Sequence, residues 1–485
     1  MDLINKTCYK TFLALSIFCI PHILGAWELD YLNGKAHYPY SVVELDDGDF
    51  VVTNTEAIND TVVRSFLLHL SPSGSVINVI DFTDFFSGKS LYLQELKLLY
   101  GNLYWAGALQ DSSNQFSAVL IKMDQDLNVL KDTVYQGKQY WTSHFFEYDT
   151  DKILAAFTDF SDSTEYRGYL IANRDLTLST VWIDSTRMWK YHNLGNSAYN
   201  KKDNRMYVSS WRYDVFSYEL PSFNKVDSFR NLDIDMWSSP LSTENGNTIV
   251  PCLKKIFPSQ PPWVSKSDLF LISLDTNMQV KDTFQFDDEI EHRVGEINTV
   301  VQAGNFIYYG STKNISTSNF IKDDTVHTSF HLIKLDLNLN MIWSKSLKSD
   351  VSYQLFTIQA TSDQGVIMVG QRWDWVSNPN QDSLSLYIVK LDSNGVSTGT
   401  YEKNLNAVRF NIYPNPSTDF IYVDIDELKH GETYRLKVYD LNGNLVIQDS
   451  ITDHKSLDIS KLKRGVYILS LEDNKTCSKQ KFIKN

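Results

Sequence analysis

The chain is 485 residues long, 42% hydrophobic and 13% aromatic, enough apolar material for more than one core. Its formal net charge is −14; residues 1–26 and 408–485 are each +1, so the span between them carries −16. So acidic a surface repels phosphate backbones and excludes nucleic acid as a partner, and four cysteines, Cys8, Cys19, Cys252 and Cys477, are too few for a disulfide framework or a thiolate metal site.

At the start, Lys6 and Lys10 accompany a short apolar run, Thr11 to Ile20, which Pro21 ends. Leu24, Gly25 and Ala26 then offer small residues for cleavage. This order is that of a secretory signal peptide over residues 1–26, too short to cross a bilayer. Phe18 ahead of Cys19 argues against a lipoprotein. The mature chain is expected to begin near Trp27, and no later stretch is long and apolar enough for a transmembrane helix.

From Trp27 to Asn404 one pattern recurs. A turn with Gly, Asp or Asn leads into an apolar strand, a variable loop follows, and a second apolar strand ends in a polar turn. The first strands start at Phe50, Leu103, Ile153, Arg205, Thr248, Phe306 and Val366. The second strands end at Leu70, Met123, Ala172, Leu220, Leu274, Leu335 and Leu391, roughly 50 to 60 residues apart. A strand before each pair and one after each polar turn make four per unit. That spacing approaches the ~40–50 residues of a four-stranded propeller blade. One such unit cannot bury both faces, so neighbours must stack. The apolar residues alternate or run in blocks instead of recurring at 3.6, which disfavours a helical solenoid. Two sandwich domains are the rival architecture. The span resembles the repeat propellers of exported bacterial proteins, in pattern alone, since no WD or kelch signature recurs. The expected fold class is all-β: a seven-bladed β-propeller over 27–404, then a small C-terminal β-sandwich over 408–485.

No catalytic motif stands out: G-x-S-x-G, H-E-x-x-H, a P-loop and G-x-G-x-x-G are all missing. Asp46-Asp47-Gly48-Asp49 lacks the alternation and closing Glu of a calcium loop and reads as a turn. No metal and no cofactor is expected. The connections expected to share one propeller face carry aromatic and ionisable residues. Among them Trp141, Trp189, Trp237, His292, Arg293 and Trp373 are the candidate ligand contacts. Ringed aromatics over a polar channel suit a glycan or peptide; the alternative is that they wedge between blades as core. Asp233, Asp235, Asp287, Asp288, Glu289 and Glu291 supply carboxylates for the rival reading, a hydrolase or lyase acting on glycans. With no motif behind it, the reading leans away from an enzyme, toward a binding or interaction module. A structural surface component is the third reading.

The tail begins with FNIYPNPSTDFIYVDI from Phe410. Two prolines make Tyr413-Pro414-Asn415-Pro416 extended entry chain. Asp440 to Gly443 joins two apolar runs as a hairpin, and Gly465 opens a further core strand through Tyr467. The YPNP opening, VYDLNGNLV, DISKLKRGVYIL and the basic ending SKQKFIKN resemble, in order, the type A C-terminal sorting domain of type IX secretion. That resemblance implies sorting roles for Tyr413, Pro414, Asn415, Pro416, Asp440, Gly443, Gly465 and Tyr467. It implies the secretion machinery as partner, and a protein released or attached at the outer cell surface. A short polar join, Glu402 to Val408, is expected ahead of the tail, and Cys252 and Cys477, in different domains, are expected not to pair.

Overall fold

Short apolar blocks bounded by Gly, Asp and Asn form strands throughout. The computed structural model describes residues 26–485 apart from 32–36, 58–62, 84, 87–88, 114, 136–139, 160–165, 184–196, 210–213, 237, 257–265, 289, 296, 316–326, 349, 374–383, 398–401, 405–409, 426–432, 441–443, 453 and 473–476. Among the described residues every regular element is a β-strand, so the chain is all-β.

Strand β1 (Trp27–Tyr31) comes first. Sheet 1 is β2 (His37–Glu44), β3 (Phe50–Ala57), β4 (Val63–Leu70) and β5 (Val76–Asp81). Sheet 2 is β6 (Ser90–Leu99), β7 (Asn102–Gln110), β8 (Phe116–Met123) and β9 (Val129–Tyr135). Sheet 3 is β10 (Tyr140–Tyr148), β11 (Lys152–Asp159), β12 (Tyr166–Asn173) and β13 (Leu178–Ile183). Sheet 4 is β14 (Ser197–Asn200), β15 (Arg205–Ser209), β16 (Asp214–Glu219) and β17 (Asn224–Arg230). In sheet 5 the first strand is split into β18 (Ile234–Met236) and β19 (Leu241–Ser242), ahead of β20 (Thr248–Ile256), β21 (Lys266–Leu274) and β22 (Val280–Phe286). Sheet 6 is split likewise: β23 (His292–Val294) and β24 (Val300–Ala303), then β25 (Phe306–Lys313), β26 (Ser329–Asp336) and β27 (Met341–Ser346). Sheet 7 holds β28 (Ser352–Ala360), β29 (Val366–Trp373) and β30 (Ser385–Leu391). The seven sequence units are therefore seven sheets, the first six antiparallel and meandering in chain order.

Sheet 7 departs from expectation. Its fourth strand is β1, antiparallel to β30 with Trp27 opposite Lys390, and not a segment after the turn at Asp392. β31 (Glu402–Asn404) then runs parallel along β1, so part of the expected polar join is a strand. The free edge of β30 needs backbone partners, and the N-terminal segment supplies them.

The cores follow the same order. Seven buried clusters each draw on two sheets: 1 with 2, 2 with 3, and so on to 6 with 7. The seventh joins sheet 7 to sheet 1, through Trp27, Leu29, Ile367 and Ile388 against Phe50, Phe66 and Leu68. First strands also touch in sequence: β2 with β6, β6 with β10, β10 with β14, β14 with β19, β19 with β24, β24 with β28, and β28 with β2. The order of contacts is a closed cycle.

The polar turns explain how these cores are sealed. In the turns at Asp124, Asn173, Asp275 and Asp336 the residue three positions on donates back to the first, and the first donates to the residue four on. This is a type I turn followed by a left-handed residue. That residue is Leu127, Leu176, Met278 or Leu339, at φ +57° to +65°, and Phe223 at φ +53° is its counterpart in sheet 4. Apolar side chains rarely adopt such a φ. All five are buried in the cluster shared with the preceding sheet. In sheets 1 and 7 the position is Gly74 or Gly395, and an indole fills the space instead. A Cβ on Gly74 would lie 2.4 Å from Trp27, and one on Gly395 2.6 Å from Trp343.

The tail has its own core. β32 (Phe410–Tyr413), β33 (Phe420–Ile425) and β36 (His454–Asp458) form one sheet; β34 (Tyr434–Asp440), β35 (Leu445–Ile451), β37 (Gly465–Glu472) and β38 (Cys477–Lys484) form another. Phe410, Ile421 and Val423 from the first meet Leu436, Val438, Leu469 and Phe482 from the second.

Candidate functional site

The tail's motif residues gather at its last strand. Tyr413 ends β32, half-exposed, its ring stacked 5.7 Å from Tyr422. Asn415 Oδ1 accepts from the Ile483 amide at 2.9 Å, and the Ser417 amide donates to the Ile483 carbonyl at 2.9 Å. The YPNP segment is thus clipped to β38. Asp440 accepts from the amide and side chain of Asn444, each at 2.9 Å, closing the hairpin; Gly443 lies outside the described residues. Gly465 opens β37 opposite Lys484, and Tyr467 stacks on Phe482 at 5.6 Å while its hydroxyl donates to the Lys463 carbonyl. Residues 411–485 match the family of secretion system C-terminal sorting domains. The tail is a type IX secretion C-terminal sorting domain. A sorting domain of this kind directs its protein to the type IX machinery and marks it as secreted or cell-surface. The curated proteins contain no match to the chain.

Ahead of the sorting domain, the first strands of the sheets are irregular where they meet. β2 bulges at Tyr40, β6 at Gln94 and Glu95, β10 at Ser143 and β28 at Phe356. Sheets 5 and 6 break there, between β18 and β19 and between β23 and β24. Bulges bend a strand and re-aim its side chains. Here they turn polar groups toward one another across the cycle. Glu95, from sheet 2, is fully buried. Its Oε2 accepts from the Phe145 amide at 2.8 Å. Its Oε1 accepts from Asn298 Nδ2 at 3.0 Å and lies 3.0 Å from Lys97 Nζ and 3.3 Å from His144 Nδ1. The second ring nitrogen of His144, Nε2, lies 3.2 Å from Ser239 Oγ. Thr299 Oγ1 donates to Ser238 Oγ at 2.9 Å, and Ser238 to the Ile297 carbonyl at 3.2 Å. Burial alone would raise the Glu95 carboxyl; Lys97, His144 and Asn298 outweigh it and bring it down to about 2. One ionised carboxylate therefore ties together sheets 2, 3 and 6, and His144 extends the chain to sheet 5.

No sequence motif marks Glu95, His144, Asn298 or Ser239 as a group. The one sequence signal is the polar Gln94-Glu95 pair, with Lys97 two residues on, inside the largely apolar run SLYLQELKLL.

The structure places the six candidate ligand contacts as follows. Trp189 and Trp237 lie outside the described residues. Trp141 is in β10 opposite Thr158, its side chain likewise undescribed. His292 opens β23 opposite Lys313, and Arg293 follows, half-buried. Trp373 ends β29 opposite Ser352, partly buried. Trp141, His292 and Trp373 thus fall at equivalent ends of their sheets, where the first strand starts and the second ends. His292 nonetheless points inward. It is buried, its Nε2 2.9 Å from Asp288 Oδ1, its Nδ1 3.3 Å from Ser311 Oγ and its ring 5.0 Å from that of His331. Burial depresses both imidazoles, His331 to about 3. Burial would raise Asp288, but hydrogen bonds from Lys313 and His292 hold it at about 2. Of the carboxylates proposed for glycan cleavage, Asp288 is held this way, Asp235 is buried in β18, and Glu289 lies outside the described residues. Asp46 to Asp49 forms a turn, with Gly48 at φ +89°. Among the described residues, no group of His, Cys, Asp and Glu is placed to hold a metal ion, and no helix is long and apolar enough to cross a membrane.

Proposed function

We propose that this is an exported protein whose seven sheets are the blades of a β-propeller over residues 27–404, and that the propeller binds a glycan or peptide at the end of the ring carrying Trp141, His292, Arg293 and Trp373. The observation that carries the architecture is the cycle of seven shared cores, closed by Trp27 and Leu29 against sheet 1. The tail over 408–485 then forms a two-sheet sandwich, and its match to sorting domains supports delivery by type IX secretion. The leader over 1–26 is removed on export. Support comes from Trp27, the expected first residue of the mature chain, which is buried and donates from its indole to the Pro72 carbonyl at 2.9 Å. Release or attachment at the outer cell surface follows from the resemblance of the tail.

Binding is favoured over glycan cleavage by one observation: Asp288, among the carboxylates at that end, is engaged by Lys313 and His292 instead of facing a partner carboxylate. Probing glycan and peptide arrays with the mature protein tests the reading. A reproducible ligand class whose binding falls on Trp373→Ala supports it. Binding that survives Trp373→Ala and Arg293→Ala alike moves the ligand elsewhere and ends the reading.

A further inference from the structure

Ser239, His144 and Glu95 come from sheets 5, 3 and 2, and 144 positions separate the first from the last. The structure sets them in line: hydroxyl to Nε2 at 3.2 Å, Nδ1 to carboxylate at 3.3 Å. We propose that Ser239 is a nucleophile for acyl-ester hydrolysis, with His144 as its base and Glu95 as the residue that orients His144. This activity stands apart from the ligand reading above and does not depend on it.

Three features support the roles. Glu95 is held on both oxygens, by the Phe145 amide on one and by Asn298 and Lys97 on the other, so it is ionised and immobile. The carboxylate lies 3.3 Å from Nδ1, near enough to favour a proton there and leave Nε2 facing Ser239, but Nδ1 makes no aligned hydrogen bond in this structure, so the contact must tighten when a substrate binds. Ser239 lies in the break between β18 and β19, outside any ladder, with Pro240 after it. The contrast is Ser311, which also touches a histidine paired with an aspartate. Ser311 is a ladder residue of β25, opposite Val294 and His331, and is walled in by the packing of sheets 5 and 6.

The chemistry balances with water as the only co-reactant. Ser239 Oγ attacks the ester carbonyl carbon and its proton passes to His144 Nε2. The intermediate collapses, the ester C–O bond breaks, and the departing alkoxide takes that proton to leave as an alcohol. Water then attacks the acyl-serine, gives a proton to His144, and the acid leaves as Ser239 regains it. Ser239 and His144 are each only 3% exposed, so the substrate class is a small, slender acyl ester. The ionised Glu95 disfavours an anionic one.

The test uses the full mature protein and a fluorophosphonate probe, with the adduct located by peptide mapping, beside turnover of p-nitrophenyl acetate. A single adduct on Ser239 is expected, absent in Ser239→Ala, with turnover lost in the same variant and kept in Ser311→Ala. His144→Gln should slow labelling by roughly 100-fold or more. Glu95→Gln should slow labelling of the folded protein as well, with Ser239 still the labelled residue, whereas a merely structural carboxylate would leave the labelling rate of the folded protein unchanged. Ser239→Ala removes one oxygen and should melt close to the parent, so loss of activity there is not loss of fold. A folded protein that leaves Ser239 unlabelled, or turnover that persists in Ser239→Ala, overturns the proposal.

Discussion

Replacing Gly74 by alanine tests how the cycle of sheets is closed. Gly74 has φ +84°, and an added Cβ would lie 2.4 Å from Trp27 Cδ2 and 2.5 Å from Cε3. The indole cannot shift freely: it is buried, it packs edge-on to Phe50 at 5.7 Å, and its nitrogen donates to the Pro72 carbonyl. Gly101 is the control, because its φ is +72° but a Cβ there meets nothing within 4 Å. The left-handed backbone costs an alanine about 1–2 kcal/mol at either site. Only Gly74 adds overpacking, about 1–3 kcal/mol more. Unfolding entropy is about 2.1 cal/mol/K per residue, or ~0.8 kcal/mol/K for the ~380 residues of the seven sheets, so the difference is roughly 1–4 °C in Tm. Thermal melts of the two variants, with limited proteolysis of the N-terminal strand, measure it. Gly74→Ala should melt lower and release β1 to protease first. Equal melting points and equal protection would refute the idea that Trp27 in the Gly74 notch locks sheet 7 to sheet 1.

Other expectations follow from the same structure. Leu127→Ala, which empties a left-handed turn position buried between sheets 1 and 2, should cost about 2–5 kcal/mol in a denaturant titration; a cost near zero would mean the turn residue is not part of the core. His331 is depressed to about 3 by burial, so the unfolded chain binds its proton first as pH falls. Its share of stability is full above about 6.5 and is lost between there and about 3; His331→Asn should flatten the acid slope by about 1.4 kcal/mol per pH unit at most, and an unchanged slope would contradict this. Cys252 is a free, buried thiol whose pKa burial raises. It should resist alkylation until the protein unfolds, and non-reducing mass spectrometry should find no peptide linking it to Cys477.

Much of this was legible in the sequence because each unit repeats its own local chemistry. The second strands ending at Leu70, Met123, Ala172, Leu220, Leu274, Leu335 and Leu391 lead into polar turns, most of them set by Asp, Asn or Gly. All seven turn positions are where periodicity places them. Closure was not legible. β1 pairs with β30 across more than 350 positions, and WELDY carries no mark of its partner. The expected strand after Asp392 failed for that reason: the edge of β30 was already taken. Glu95 and Ser239 were hidden for another reason. Bulges and strand breaks interrupt the period-two pattern where the side chains converge, so Glu95 reads as a surface residue though it is fully buried. His292 was misleading in the opposite sense. It occupies an expected sheet end, yet Asp288 and Ser311 draw its ring inside. In the tail the local signals sufficed, since Asn415 and Ser417 meet β38 through the YPNP segment itself.

The central claim, that the sorting domain carries a separately folded body out of the cell, is tested most directly by deleting residues 408–485 and fractionating the producing bacterium. The body and tail have separate cores, so the truncated protein should fold. The account predicts that it accumulates in the periplasm without its leader, while the intact protein reaches the surface or the medium. A truncated protein found at the surface in normal amount would contradict it.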